Sequence, residues 1–151
     1  LPEQVDSVIC ALDSLNYVTR PADVQKTFRR VHDALMPGGL FLFDINTPYK
    51  LEGLAGQTFL DETEDTDCVW RTEFDPKKRL CYYGMDLFQR DGEVWERSFE
   101  EHIEYAYTAE ELTGWLREAG FTKIDVFGDR KCRAPKEDEL RVYLAARKET
   151  T

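Results

Sequence analysis

A chain of 151 residues, 42% hydrophobic and 33% charged, is long enough to bury a core of ordinary size and too apolar to remain disordered. Its formal net charge is -10, and between Gln57 and Tyr107 there are 14 acidic against 6 basic residues, a surface that repels phosphate backbones and argues against nucleic acid as a partner. No run reaches the apolar length of a membrane span and the first residues lack the order of a signal peptide, so a cytoplasmic protein without membrane contact is expected.

Val5 to Cys10 reads as a short buried strand. Pro21 then opens a helix in which Val24, Phe28, Val31 and Leu35 recur at helical spacing. Met36-Pro37-Gly38-Gly39 stops that helix, and Leu40-Phe41-Leu42-Phe43-Asp44-Ile45-Asn46 follows as an uninterrupted apolar strand, the kind buried on both faces of an α/β sheet. Residues 5 to 46 are therefore expected to form one β-α-β unit.

The periodicity then changes. Cys68, Trp70, Thr72 and Phe74 alternate with polar neighbours, as do Cys81, Tyr83, Met85 and Leu87, with a turn at Asp75-Pro76-Lys77-Lys78. Arg90-Asp91-Gly92-Glu93 is a second turn, and a long strand follows. In it Trp95, Phe99, Ile103, Tyr105 and Tyr107 share one side and Glu96, Glu100, His102 and Glu104 the other. Counting Gln57 to Leu60 as a first strand, these form an antiparallel meander of three or four strands whose expected core is Trp70, Phe74, Tyr83, Trp95 and Phe99 or their immediate strand neighbours. Thr108-Ala109-Glu110-Glu111 is a capping box, Leu112, Trp115, Leu116 and Ala119 line one helical face, and Gly120 stops it. Phe121 to Gly128 and the alternating Leu140, Val142, Leu144 and Ala146 are the last two strands.

The order Val8-Ile9-Cys10-Ala11-Leu12-Asp13-Ser14-Leu15-Asn16-Tyr17, then Leu35-Met36-Pro37-Gly38-Gly39 before an apolar strand, then Leu116-Arg117-Glu118-Ala119-Gly120-Phe121, resembles class I S-adenosylmethionine-dependent methyltransferases. The resemblance implies an α/β fold: a partial Rossmann-like methyltransferase sheet, strands four to seven, with an inserted antiparallel β-meander after the fifth strand, as in one bacterial branch acting on small molecules. It assigns residues 1–50 and 108–151 to the Rossmann-like part and 51–107 to the insertion, and makes the last strand antiparallel to the others. The family's glycine-rich turn after its first strand has no counterpart, since the nine glycines include no G-x-G. The resemblance thus implies the C-terminal portion of a methyltransferase, unable by itself to bind S-adenosylmethionine and, through its cut sheet edge at Val5 to Cys10 and exposed Val8, Phe41 or Phe43, prone to self-association.

Open α/β sheets bind ligands beyond the C-terminal ends of their strands. The resemblance puts Ala11, Leu12 and Asp13 beside the methionine part of S-adenosylmethionine, with Asn16 and Tyr17 close behind, and a small-molecule substrate near Asp44, Asn46 and Tyr49. Asp13 also suits a turn or helix cap. His102 is the candidate acid or base because histidine titrates near neutral pH, although a solvated histidine fits the same position. Arg71 could hold a substrate carboxylate or simply pair with a surface glutamate. Cys10, Cys68, Cys81 and Cys132 form no C-x-x-C pair, so free buried thiols and no metal site are expected. The rival reading is a non-catalytic module that binds a partner through the acidic and aromatic meander.

Overall fold

The computed structural model describes residues 3–150, in two four-stranded sheets. β1 (Val5–Cys10), α1 (Pro21–Ala34) and β2 (Leu35–Asn46) form the β-α-β unit, with β1 parallel to β2. A short α2 (Pro48–Gly53) leads to β3 (Thr58–Glu62), β4 (Thr66–Asp75), β5 (Leu80–Asp91) and β6 (Val94–Tyr105), which pair antiparallel in chain order. The chain returns through α3 (Ala109–Glu118) to β7 (Phe121–Gly128) and β8 (Arg141–Lys148). β8 lies antiparallel between β2 and β7, so the first sheet runs β1-β2-β8-β7.

The helix stop differs from the sequence reading. α1 ends at Ala34 and Leu35 already pairs with Val5, yet the next pair is Ser7 with Leu40. Five residues of β2 are thus spent against two of β1, in a bulge that Gly38 permits at φ +79 and Gly39 by its closeness to the Met36 carbonyl, where a Cβ would stand 2.8 Å away.

α1 and α3 cover one face of this sheet. Phe28 of α1 is fully buried against Phe41 and Phe43, ring centroids 5.9 and 5.5 Å away, and Leu112 and Leu116 of α3 close the same core. Phe41 and Phe43 are therefore buried and Val8 half-buried, which corrects the expectation that they face solvent; Ile9, Leu42, Tyr143 and Ala145 line the uncovered face instead.

In the meander β4 and β5 turn the expected side inward, and only β6 packs by the opposite parity. Tyr83 stands opposite His102 and Cys81 opposite Glu104, and Leu51 of α2 joins Cys81, Tyr83 and Ala106 in a small buried cluster with Trp70 and Phe74 beside it. Once that side is inward, the odd residues of β6 must point out. Trp95 is 45% and Phe99 59% exposed, Phe99 lying over Gly84, so neither belongs to the core. Of the four free cysteines only Cys81 is buried, and Cys132 is exposed. Among the described residues no helix is long and apolar enough to cross a membrane and no cluster of three metal-ligating side chains occurs.

Candidate active site at the junction of the sheets

The site begins with backbone strain. Beyond β1, Leu12 and Asp13 take left-handed conformations, φ 59 and 50, which cost non-glycine residues about 1–3 kcal/mol each. The carboxylate of Asp44, buried at the far end of β2, holds both: Oδ1 accepts the Leu12 N–H at 2.8 Å and Oδ2 the Asp13 N–H at 3.1 Å. Arg141, at the start of β8, donates one guanidinium nitrogen to Asp44 and the other to Asp13 Oδ1, the latter at 2.7 Å.

Asn16 fastens this loop to both sheets. Its Nδ2 donates to the carbonyls of Asn46 and Tyr105, both at 3.0 Å, its Oδ1 accepts the Asn46 N–H at 3.0 Å, and its own carbonyl accepts the Tyr105 N–H at 2.8 Å. Asn46 carries the network on, donating Nδ2 to Glu104 Oε2 at 2.8 Å while its Oδ1 accepts Lys50 Nζ at 2.8 Å. Lys50 only donates and an ionised Glu104 only accepts, so together they fix which way the Asn46 amide faces.

Asp13, Asn46, Lys50, Glu104 and Arg141 of this network line a cleft of about 500 Å³ between the sheets. Asp13, Tyr17, Asn46 and Arg141 contribute from the first sheet and its loops; Phe59, Trp70, Tyr83, His102 and Glu104 line it from the meander. Tyr17 meets His102 edge to face, centroids 5.8 Å apart, at the rim, where His102 Nε2 also lies 3.3 Å from Glu100 Oε2. Glu104 is 3% exposed, and burial pushes its carboxyl above the usual range even though the Asn46 hydrogen bond pulls it back; the Asp13 charge adds to the rise. Burial, then the Glu104 charge, raises the Tyr83 phenol, and the same two causes act on Tyr17. A wider hollow of about 690 Å³ lies between β1 and α1, away from the strand ends.

No protein-family profile matches the chain. YqeM of Bacillus subtilis (strain 168), which bears a methyltransferase name, is 31% identical over 149 residues, 98% of this chain and 60% of YqeM. A Geobacillus sp. (strain WCH70) protein, also named as a methyltransferase, is 31% identical over 145 residues, 95% of this chain and 59% of its own length. The crystal structure of an S-adenosylmethionine-dependent methyltransferase from Clostridium acetobutylicum superposes with a TM-score of 0.89 at 29% identity, covering 99% of this chain and 60% of that one. Along nearly its whole length the chain is similar to S-adenosylmethionine-dependent methyltransferases. It spans about 60% of the length of these relatives.

The sequence-derived site residues divide into those on the cleft, those behind it and those away from it. Asp13, Tyr17, Asn46 and His102 are brought together on the cleft. Asp44 and Asn16 do not line this cleft, and their side-chain polar atoms are committed to hydrogen bonds with the loop and the strands behind it. Ala11 lines a shallow groove on the uncovered sheet face, and the Leu12 side chain is 78% exposed. Tyr49 is 56% exposed on α2 and does not line the cleft. Arg71 is on the outer face of the meander, its Nη1 2.5 Å from Asp86 Oδ2, and Asp86 is also held by Arg97. The substrate-carboxylate reading of Arg71 is therefore corrected: it follows Trp70 in β4 and points the other way.

Sequence reasoning missed Glu104, Tyr83, Lys50 and Arg141 as site residues. Lys50 had a signal, since Thr47-Pro48 is an N-cap followed by a first-turn proline and Lys50 stands four residues after Asn46. The register of β5 against β6 would have revealed Glu104. Nothing local marks Arg141, which meets Asp44 across 97 residues of chain.

Proposed function

We propose that the protein carrying these residues transfers a methyl group from S-adenosylmethionine to a small molecule seated in the cleft between the sheets. β1 and β2 correspond in this reading to the fourth and fifth methyltransferase strands, β7 to the sixth and β8 to the last, with β3 to β6 as the insertion. The observation that carries it is the meeting of the strained loop after β1 with a cleft under a second sheet, in a chain whose relatives are named as methyltransferases. The same relatives favour transfer chemistry over a partner-binding module.

The residues present fit one side of the cofactor. Leu12 offers an exposed apolar side chain at the strand end, and Tyr17 a half-exposed ring, beside an Asp13 carboxylate in an ion pair with Arg141. When bound, S-adenosylmethionine supplies an electrophilic methyl group on a sulfonium. Alignment of an acceptor with that group carries most of the rate effect. Trp70, Tyr83 and Phe59 wall the acceptor, the Lys50–Asn46–Glu104 chain fixes polar contacts beneath it, and His102 stands at the rim as an acid or base.

The test is titration calorimetry of S-adenosylmethionine against the natural protein carrying these residues. A dissociation constant in the micromolar range, about -8 kcal/mol, is expected, with a loss of at least tenfold in Asp44→Ala. No binding by the natural protein, or binding indifferent to Asp44→Ala, overturns the reading. Residues 1–151 alone are expected not to bind in that range.

A further inference from the structure

The charges around the cleft do not balance. Both terminal nitrogens of Arg141 are taken by Asp13 and Asp44, and Lys50, the one further cation of the lining, donates to the Asn46 amide oxygen and forms no ion pair among the described residues. Glu104 is buried and lines the cleft, its hydrogen bond comes from a neutral amide, and among the described residues no cation stands within ion-pair distance of it. Asp61 adds a second carboxylate to the same lining, likewise without a cation. A buried carboxylate is costly unless paired, so the arrangement calls for a cation from outside. The walls suit one: Tyr17, Phe59, Trp70 and Tyr83 present rings to the same space, and aromatic faces attract cationic nitrogen.

We propose that this cleft recognises an amine, with Glu104 facing the nitrogen of the bound small molecule and the four rings surrounding it. The inference rests on the transfer reading above for the nitrogen's fate and on charge and packing alone for its binding. An ammonium group has no lone pair to attack with. Glu104, whose burial favours its protonated form, accepts that proton on its carboxylate oxygen, leaving the neutral amine with its lone pair free and the carboxyl neutral. The opposing choices are disfavoured on the same grounds: a carboxylate ligand would add a third negative charge beside Glu104 and Asp61 against Lys50 as the one unpaired cation of the lining, and an alcohol would bring no charge to offset them.

The experiment is an NMR titration of the natural protein, without cofactor, using cyclohexylamine, cyclohexanol and cyclohexanecarboxylate as probes of equal ring size. The amine is expected to bind at least tenfold more tightly than the alcohol, and the carboxylate most weakly. In Glu104→Gln the amine and alcohol are expected to bind alike, with folding checked by thermal melting. Equal affinities in the unmodified protein overturn the proposal whether or not the variant folds, and so does a preference that survives in folded Glu104→Gln. Cofactor calorimetry separates the two readings: amine preference without cofactor binding sinks methyl transfer and keeps the amine site, while cofactor binding without amine preference does the reverse.

Discussion

Arg79 and Glu111 meet in a two-pronged ion pair, Nη1 to Oε1 and Nη2 to Oε2, both at 2.7 Å. Arg79 closes the turn between β4 and β5 in a left-handed conformation, and Glu111 is the third residue of α3, where Oε2 also accepts the Thr108 N–H at 3.0 Å. One carboxylate thus completes the capping box and ties the meander to the helix that returns the chain to the first sheet. The Ala106 N–H donates to the Arg79 carbonyl at 2.9 Å, and Arg79 Nη2 donates to the Ala106 carbonyl, which reinforces the seam.

Glu111→Ala removes the helix cap and the tie together, and a loss of about 1–2 kcal/mol is expected by urea unfolding. The Arg79 hydrogen bonds hold the Glu111 carboxyl below its usual range. Its contribution is therefore complete above the ordinary carboxylate value and is lost as pH falls through the lowered folded value. A stability gap between the two proteins that widens on acidification would contradict this assignment.

Packing parity gives a contrast between two aromatic residues. Phe28→Ala is expected to cost about 3–5 kcal/mol, since the ring is fully buried among Phe41 and Phe43. Trp95→Ala is expected to change stability by no more than about 0.5 kcal/mol, its ring being nearly half exposed. Equilibrium unfolding midpoints decide it, and similar losses at both positions would put the wrong side of β6 inward.

Asp44→Asn keeps the size of the side chain but cannot accept from Leu12, Asp13 and Arg141 together. A loss of about 2 kcal/mol is expected, because one donor of the set loses its acceptor while Arg141 keeps only Asp13. Unfolding in urea measures it, and a loss below about 1 kcal/mol would show that the loop holds its shape without the carboxylate.

Glu104 behaves oppositely to Glu111. Its folded carboxyl lies above the ordinary value, so between the two values the folded state holds the proton more tightly than the unfolded one. Stability from this group falls as pH rises through that window and is level on either side. Asp13, Lys50 and Tyr83 face it and set the width. The stability of the unmodified protein minus that of Glu104→Gln should fall with rising pH there; a difference that climbs instead would mean the carboxylate is stabilised where it sits.

β1 pairs on one side alone among the described strands, and the sheet face bearing Ile9 and Leu42 has no helix over it. Residues 1–151 by themselves are expected to self-associate across that edge or face. Light scattering from micromolar to millimolar concentration tests this, and a strict monomer throughout would refute it.

Elements set by local periodicity were readable from the sequence. Val24 and Phe28 fix the inward stripe of α1, Thr108 and Glu111 fix the start of α3, and the alternation of β4 and β5 fixes two meander strands. What alternation cannot give is which side of a strand is inward when both carry large residues. In β6 aromatic residues alternate with acidic ones, and the sensible guess of aromatic inside fails because Leu51 of α2 and the partner register of β5 choose the other side. That single inversion hid Glu104. Candidate residues at strand ends were placed correctly along the chain, but whether a polar side chain faces a ligand or its own backbone depends on distant partners, as Asn16 shows with Asn46 and Tyr105.

The left-handed pair Leu12 and Asp13 has an implication for the order of assembly. Their N–H groups close on Asp44, and Asp44 in turn on Arg141 of the strand formed last along the chain. A loop under this much torsional cost keeps its shape only while that strand is docked, so loop and strand open and close as one cooperative unit. Reciprocity then follows: whatever grips residues 12 and 13 slows amide exchange in Arg141 to Leu144, more than 125 positions away.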